Sequence, residues 1–295
     1  MISRRVATRF GSHCAAAGLL ATLVAAPVHA RTAGAEPPEA TIVAEEPEAP
    51  AAASATAPGE SQQDELSRRA TDPTASPPSV ALISDFTFDY QDRPDGIPID
   101  EDGVELRFQS VVPFQAWGLP NILRVTVPYT VSGPGSAGLG DITIFDMAVF
   151  PVPAGRFGVG LVGSFASSAK ETDAHAVGGP AFVLLVPMSK KLNVGLFNQN
   201  LFGDGVSISQ LQPILAYQLG SGWSLSLGDL QFPYDWDRGE FLALPIGVQL
   251  GKVLPIAGQP MRFSINPQYD FTDLPGAGRF SAGFTIHLSM AEKKK

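Results

Sequence analysis

The segment Arg279–Met290 alternates between small or polar and apolar side chains, and this constrains the fold more than any other feature of the chain. A β-strand turns successive side chains to opposite faces, so the segment has one polar and one apolar face. In a soluble β-sandwich the apolar face would meet a second sheet. In an outer-membrane barrel it would meet lipid, and the polar face would line the lumen.

The N-terminus has the pattern of an exported protein. Three arginines precede a short apolar run at 15–26, and Val28–Ala30 supplies small residues for cleavage. We predict a signal peptide at residues 1–30, with a short buried helix as the alternative. The single cysteine, Cys14, lies in this segment, so we expect no disulfide in the mature protein, which suits a Gram-negative envelope.

Residues 31–63 are rich in Ala, Pro and Glu and nearly lack large apolar side chains. Such a composition predicts a disordered, extended, acidic linker. The linker is either a solubilising tether or an attachment to the cell wall or a periplasmic partner. We predict a short helix and connector at 64–78, in which one or two helical turns over 64–70 end before Pro73, and a charged tail at 291–295.

The main body of the chain, 79–290, consists of apolar alternation broken by Gly, Pro and Asp. No stretch after the signal reaches the roughly 18 apolar residues of a transmembrane helix, so any membrane crossing must use strands. The pattern predicts an all-β fold, an antiparallel outer-membrane β-barrel of about 12 strands. The strand candidates are 79–91, 103–113, 121–131, 141–150, 156–166, 178–188, 191–201, 206–219, 222–231, 240–252, 260–271 and 278–290.

The connections between these candidates give a second indication. With a periplasmic N-terminus, most outward connections are long and polar, as at 92–102, and most periplasmic ones are tight, as at 220–221. Bacterial barrels have this asymmetry. The connections 202–205 and 253–259 fit it poorly.

Three further features count against the barrel. Proline lacks a backbone donor for the ladder, and several prolines lie in or near strand candidates: Pro113, Pro128, Pro213, Pro245 and Pro267. Asp146 has the parity of Ile142 and Ile144, which indicates a bulge or a wrong strand boundary. The sequence ends in AEKKK, whereas many outer-membrane barrels end on an aromatic residue.

If the apolar positions face lipid, a set of polar side chains lines the predicted lumen: Asp85, Asp89, Glu105, Arg107, Gln109, Arg124, Gln210, Gln212, Arg262, Gln268, Arg279 and His287. Closure would place the last strand beside the first, with Arg107 and Arg279 flanking the two aspartates. This arrangement indicates either a charged constriction that selects solutes or a salt-bridge network that fills a narrow lumen.

Other chemistry has weaker support. The His287–Ser289 spacing could serve a lipase-like barrel, but it lacks a third partner and faces the predicted lumen, so we expect no catalytic residues and no enzyme. The acidic loop 92–103 does not match a calcium-binding spacing, so we expect neither a metal nor a cofactor. With a net charge of −9, the chain is not basic enough to bind nucleic acid.

Aromatic residues fall near predicted strand ends, either as membrane-interface girdles or as ordinary hairpin packing. They are Trp117, Tyr129, Phe150, Phe157, Trp223, Phe232, Tyr234 and Trp236.

Five short motifs, in matching order over about 64–290, resemble a family of bacterial outer-membrane barrels described as transporters or as proteins of the meta-cleavage pathway of phenol degradation. They are ELSRRATDPTAS (65–76), SGPGSAGLGDI (132–142), SQLQPILAY (209–217), YDW (234–236) and ALPIGVQLGKV (243–253). The long Pro/Ala linker departs from the family pattern, and Asp72-Pro73 stands where the family has Asn-Pro. The resemblance implies an envelope barrel, while the family's substrate is poorly defined.

These observations predict a protein of the Gram-negative outer membrane, in contact with its lipid, with a periplasmic N-terminal segment. The expected function is passive passage of small solutes, with apolar or aromatic ones as candidates. The segment 64–76 is a candidate plug. The alternatives are a filled structural or binding barrel tethered through its linker, and a soluble periplasmic β-sandwich.

Overall fold

A computed structural model describes residues 60–92, 99, 101–134, 137–166, 176–203, 205–257 and 259–290. The predicted signal peptide, most of the linker, the tail and His175 lie outside these residues. No helix in the described part of the chain is both long and apolar enough to cross a membrane.

The described residues form one short helix and a closed antiparallel barrel of twelve wall strands. Ten wall strands are continuous: β1 (Ser79–Tyr90), β2 (Gly103–Ala116), β3 (Leu119–Ser132), β4 (Ile142–Val152), β5 (Gly155–Phe165), β6 (Ala176–Pro187), β7 (Leu192–Gly203), β8 (Val206–Gly220), β11 (Gln259–Asp270) and β12 (Gly278–Ser289). Strand β12 pairs with β1 and closes the barrel, so the fold is not a two-sheet sandwich.

Two wall strands are interrupted, unlike the continuous strands predicted at 222–231 and 240–252. Strand β9 consists of Trp223–Ser226 and Phe232–Asp235. Strand β10 consists of Glu240–Phe241, Pro245–Gly247 and Gln249–Ile256. A two-residue strand, Gly138–Leu139, also pairs with β3.

The two ends of the barrel differ. At one, here called the turn end, neighbouring strands are joined over 117–118, 153–154, 188–191, 221–222 and 257–258. At the other, the loop end, most connections are longer, such as 91–102 and 271–277. The poor fit at 253–259 disappears, because β10 continues to Ile256 and β11 begins at Gln259, which leaves a tight turn there. The poor fit at 202–205 remains, because the loop-end connection at 204–205 is short.

Helix α1 (Glu60–Ala70) lies at the turn end, where it contacts β8, β9, β10 and β11. The positive charges of Arg68 and Arg69 in its last turn interact favourably with the negative C-terminal end of the helix dipole. Proline at position 73 limits its extension.

Alternation along the strands separates an apolar outer face from a mixed inner face. On β1 the outward Leu82 is 46% exposed, whereas its inward neighbours Ala81 and Ile83 are 4% and 5% exposed. On β5 the outward Leu161 is 69% exposed and the inward Val162 is 4% exposed. The period-two pattern in the sequence therefore reports the two faces of the wall correctly.

Asp146 lies on the outer face, opposite Leu123 of β3 and Leu161 of β5. The register of β4 continues through it, so neither a bulge nor a wrong boundary explains its parity. Asp146 is instead an acidic side chain in the middle of an apolar surface.

Aromatic side chains mark both ends of the outer face. At the turn end, Phe150 lies opposite Phe157, and the Lys252 ammonium lies 5.0 Å from the centroid of the Trp223 ring. At the loop end, the Tyr234 ring stands edge-on to Trp236 at 5.0 Å and to Phe241 at 5.1 Å.

Candidate functional site

The inner face of the barrel carries most of the polar and charged residues that the sequence analysis selected. By strand register, Asp85, Glu105, Arg107, Gln109, Arg124, Gln210, Gln212, Arg262, Gln268, Arg279 and His287 fall on this face. Asp89 lies near the loop end with a positive φ of 53° and is exposed. Their role in a pore stays a prediction.

An ion pair joins β1 and β2. Arg107 donates from Nε and Nη2 to Asp85 Oδ2, at 3.0 and 2.5 Å, and its Nε lies 3.5 Å from Glu105 Oε1. Charge-assisted contacts of this kind are the stronger hydrogen bonds. Arg279, which we expected to flank Asp85 and Asp89, lies instead 3.5 Å from Asp273 at the loop end.

Arg124 lies deeper in the lumen, against two aromatic rings. Its guanidinium carbon is 5.1 Å from the centroid of Phe145 and 5.6 Å from that of Phe197. Its Nη2 donates to Gln199 Oε1 at 3.3 Å. Cation–π contact and one hydrogen bond therefore hold this charge.

Arg262 crosses the inner faces of β9, β10 and β11. Its Nη2 donates to Gln249 Oε1 at 2.9 Å and to Ser224 Oγ at 3.5 Å. His287 lies beside it on β12, and its buried Nδ1 has no hydrogen-bond partner among the described residues. Ser289 lies on the same face of β12 as His287, and the structure brings no third triad partner to them in the described chain.

Asp229 is the site residue that sequence reasoning missed. It belongs to the five residues between the two parts of β9, where the chain turns into the lumen, and its Oδ1 accepts a bond from Gln212 Nε2 at 3.3 Å. Its carboxylate attracts the guanidinium groups of Arg107, Arg124 and Arg262. The continuous strand predicted at 222–231 concealed this turn, and only Gly228 before it signalled one.

Arg124, Asp229 and Arg262 border a lumen cavity of about 140 Å³. Gln109, Arg124, Gln212, Asp229, Arg262 and His287 contribute polar groups to its wall. On one side it is bounded by Ala70, the last residue of helix α1, and by Thr71, Pro73 and Ser76, which follow the helix in the chain. The predicted plug segment therefore borders the cavity from the turn end.

Residues 60–76 are called here the closing segment, and polar bonds attach it to the barrel. Asp72 is fully buried and pairs with Arg156 of β5. Asp64 Oδ1 accepts a bond from the Gly222 amide at 2.5 Å, and Gln218 Nε2 donates to Thr71 Oγ1 at 3.4 Å.

A second part of the inner face is apolar. A buried cluster on β2 to β8 includes Phe145, Met147, Val183, Leu185 and Phe197, each at most 3% exposed. These residues pack inside the barrel as a hydrophobic core. The lumen is consequently filled over much of its width beside the cavity.

No cluster of three or more His, Cys, Asp or Glu residues that could hold a metal ion lies within the described ranges. The acidic loop is described only in part, because 93–98 and 100 lie outside those ranges.

No protein-family model and no curated protein matches the chain. Solved outer-membrane proteins resemble it in shape. The outer membrane channel from Pseudomonas putida F1 has a TM-score of 0.49 at 11% identity, over 72% of this chain and 95% of that one. Outer membrane phospholipase A from Escherichia coli has a TM-score of 0.44 at 14% identity, over 72% and 93%. The Salmonella typhi outer membrane phospholipase has a TM-score of 0.46 at 13% identity, over 77% and 98%. Likenesses this distant assign neither activity nor substrate to this chain.

Proposed function

We propose that this protein lies in the outer membrane of a Gram-negative bacterium and passes small solutes passively through its lumen. The observation that carries the proposal is the distribution of polarity in a closed barrel, whose outer face is apolar and whose inner face carries charged residues beside an apolar cluster. Only closed barrels and helices satisfy every backbone polar group in lipid. The turn end then faces the periplasm, as short turns do in bacterial barrels.

The aromatic side chains at both ends of the outer face support the membrane location. Amphipathic rings concentrate at the two membrane–water interfaces. Lys252 beside Trp223 fits such an interface, since its stem can lie along apolar surface while its ammonium reaches water.

The lumen chemistry favours small solutes with weak charge discrimination. Three arginines, Arg107, Arg124 and Arg262, face three carboxylates, on Asp85, Glu105 and Asp229. Equal numbers of opposite charges create little net field along the path, so size and polarity dominate selection. Small apolar or aromatic solutes are therefore candidates, which agrees with the resemblance to the phenol-degradation family, and we include membership of that family in the proposal.

Passage along the barrel axis requires the closing segment to move. It borders the cavity at the turn end, and the bonds of Asp64, Thr71 and Asp72 attach it to the wall. Breaking a few such bonds is within the range of conformational steps that open lids and loops.

The experiment compares single-channel conductance of the full chain in planar bilayers with that of a variant lacking 60–76. A heat-dependent electrophoretic shift first establishes that each variant is a folded barrel. The proposal predicts higher or more frequent conductance after the deletion. A matched deletion of 31–47, in the predicted linker, should leave conductance unchanged.

A filled structural or binding barrel is the second candidate, because the apolar cluster around Phe145 and Phe197 occupies the lumen. Residues 31–63 would then connect it to the cell wall or a periplasmic partner. Folded barrels that never conduct, with or without 60–76, would establish this alternative and refute passage. In either case we propose that the chain is not an enzyme, since His287 and Ser289 lack a third partner among the described residues.

A further inference from the structure

The charges of the lumen are balanced over the whole barrel but not around the lumen cavity. The ion pair of Arg107 with Asp85 lies outside the residues that border the cavity. The cavity wall itself carries two arginines, Arg124 and Arg262, and the carboxylate of Asp229, and no other charged side chain of the described residues lines it. Two positive charges and one negative charge leave the cavity with one excess positive charge.

Buried polar atoms of this wall lack hydrogen-bond partners. Arg262 is 6% exposed, and its Nε has no partner in the described part of the chain. His287 lies opposite Arg262 in the ladder, and its buried Nδ1 is equally without a partner there. Neither Arg124 nor Arg262 forms an ion pair with a described residue. Because buried polar groups are nearly always hydrogen-bonded in folded proteins, unpartnered groups beside a cavity indicate a ligand that completes them.

The strand register brings these groups to one level of the barrel. Arg262 of β11 lies opposite His287 of β12, and His287 lies opposite Ala81 of β1. On its other side, Ala81 lies opposite Gln109 of β2. All four residues border the cavity. The methyl side chain of Ala81 is short, so it leaves space at the wall between the longer polar side chains on either side.

Another part of the cavity wall is apolar and aromatic. Ile83, Ile122 and Ile214 line it together with the rings of Phe145 and Phe197. Its volume of about 140 Å³ is close to the roughly 150 Å³ of an apolar protein cavity that holds one benzene molecule. The cavity therefore matches a single six-membered aromatic ring in both size and lining.

We propose that the lumen cavity binds one aromatic monocarboxylate, of which benzoate is the simplest. The inference rests on the proposed function and names a class of solute for it. The carboxylate accepts hydrogen bonds from Arg262 Nε and from His287 with its hydrogen on Nδ1, and its single charge balances the excess positive charge of the wall. The ring lies toward Phe145 and Phe197. An uncharged ring of the same size leaves the buried donors unpartnered, so the site discriminates against it.

Equilibrium dialysis at neutral pH measures binding of radiolabelled benzoate to the full chain in liposomes, with protein-free liposomes as background. Benzyl alcohol keeps the ring without the charge, and acetate keeps the carboxylate without the ring. We expect saturable binding of one benzoate per chain, and competition by either analogue at least about tenfold weaker than by unlabelled benzoate. Competition by benzyl alcohol as strong as by benzoate would overturn the carboxylate site, and equally strong competition by acetate would overturn the preference for an aromatic ring.

Two substitutions in the wall change the charge balance in opposite directions. Arg262→Gln removes a positive charge and the Nε donor, and should weaken benzoate binding by about tenfold or more. Asp229→Asn removes the charge that repels the ligand, and should strengthen binding several-fold. Arg238→Gln is the matched control, because Arg238 is exposed at the loop end outside the cavity wall, and it should leave the affinity unchanged. If Arg262→Gln does not assemble into a heat-modifiable barrel, the tighter binding expected of Asp229→Asn still tests the site.

The outcomes separate this inference from the proposed function. The absence of saturable benzoate binding to a heat-modifiable barrel would overturn the site, and so would an affinity that neither Arg262→Gln nor Asp229→Asn changes. The proposed function survives either result if the same barrels conduct. Conversely, saturable benzoate binding by barrels that never conduct, with or without 60–76, would refute passage and support the site as the ligand site of a filled binding barrel.

Discussion

At the scale of single residues, Asp72 connects the closing segment to the barrel. Its side chain is fully buried, accepts bonds from Thr74 N at 2.9 Å and Thr74 Oγ1 at 2.6 Å, and pairs with Arg156. No sequence pattern connects residues 72 and 156, so only the fold brings them together. The motif Asp72-Pro73 was visible in the sequence, but its partner was not.

Asp72→Asn should loosen the closing segment without unfolding the barrel. The substitution leaves the Arg156 guanidinium without its countercharge, and breaking a buried pair costs about 3–5 kcal/mol, less here because Arg156 is 30% exposed. Hydrogen exchange of amides 60–76 should accelerate while heat modifiability is retained. Arg68→Gln, which removes the exposed Arg68–Glu65 pair, is the control and should change exchange far less. Equal effects of the two variants would contradict the anchoring role.

Glu65 makes helix α1 mildly sensitive to acid. Its hydrogen bond from Arg68 lowers the pKa of the Glu65 carboxyl below its ordinary value. Because the pKa of Glu65 is lowered in the folded state, its ionised carboxylate stabilises the helix at pH values above the ordinary pKa. This contribution to stability is lost as the pH falls through the lowered folded-state pKa. Exchange of α1 amides should therefore rise in acid more in the native protein than in Glu65→Gln. The same acid response in both would show that another group causes it.

At the scale of elements, the interruption of β9 shows where sequence reasoning stopped. Alternation predicted one strand at 222–231, yet Leu225 and Phe232 both face outward because one residue is inserted between them. The prolines counted as objections to the barrel, and two of them, Pro213 and Pro245, flank this interruption. A period-two pattern cannot report a bulge whose cause lies on the neighbouring strands.

Gly228, the one glycine between the two parts of β9, is constrained in two ways. It combines a φ of 67° with a Cβ position 2.9 Å from Asn266 Nδ2. Gly228→Ala should lower the free energy of unfolding by the left-handed backbone penalty of about 1–2 kcal/mol and by a further contact penalty. Gly205→Ala, at a φ of 76° with no atom within 4 Å, isolates the backbone penalty. Urea unfolding in lipid vesicles compares them, and a smaller loss at Gly228 would refute the inward packing.

At the scale of the whole molecule, the predicted all-β barrel is confirmed by the closed antiparallel wall. The faces of its strands followed from the alternation of residues such as Phe284 and Thr285. How far the lumen is open did not follow, because Phe145, Met147 and Phe197 come from different strands and meet only when the wall closes. The same alternation is compatible with an open pore or a filled core.

Asp146 provides a test of the membrane environment. It lies on the outer face between Leu123 and Leu161, four residues from the turn-end pair of Phe150 and Phe157. An ionisable side chain near the middle of the bilayer destabilises a barrel, by less than the roughly 2–4 kcal/mol of Arg or Lys. Asp146→Leu should therefore raise the free energy of unfolding in vesicles. Glu240→Leu, at the exposed loop end, should not, and no gain from Asp146→Leu would count against a lipid-facing outer surface.

The sequence determined the strands, their two faces and the charged residues of the inner face, because these depend on a two-residue period that each strand carries locally. The tertiary structure decided which charges meet, that Asp229 enters the lumen, that Asp72 anchors a closing segment, and that β9 and β10 part. Each of these depends on residues distant in the chain, such as Pro213 and Pro245 on either side of β9. Local periodicity cannot specify such contacts, because closure of the barrel alone sets which strands become neighbours.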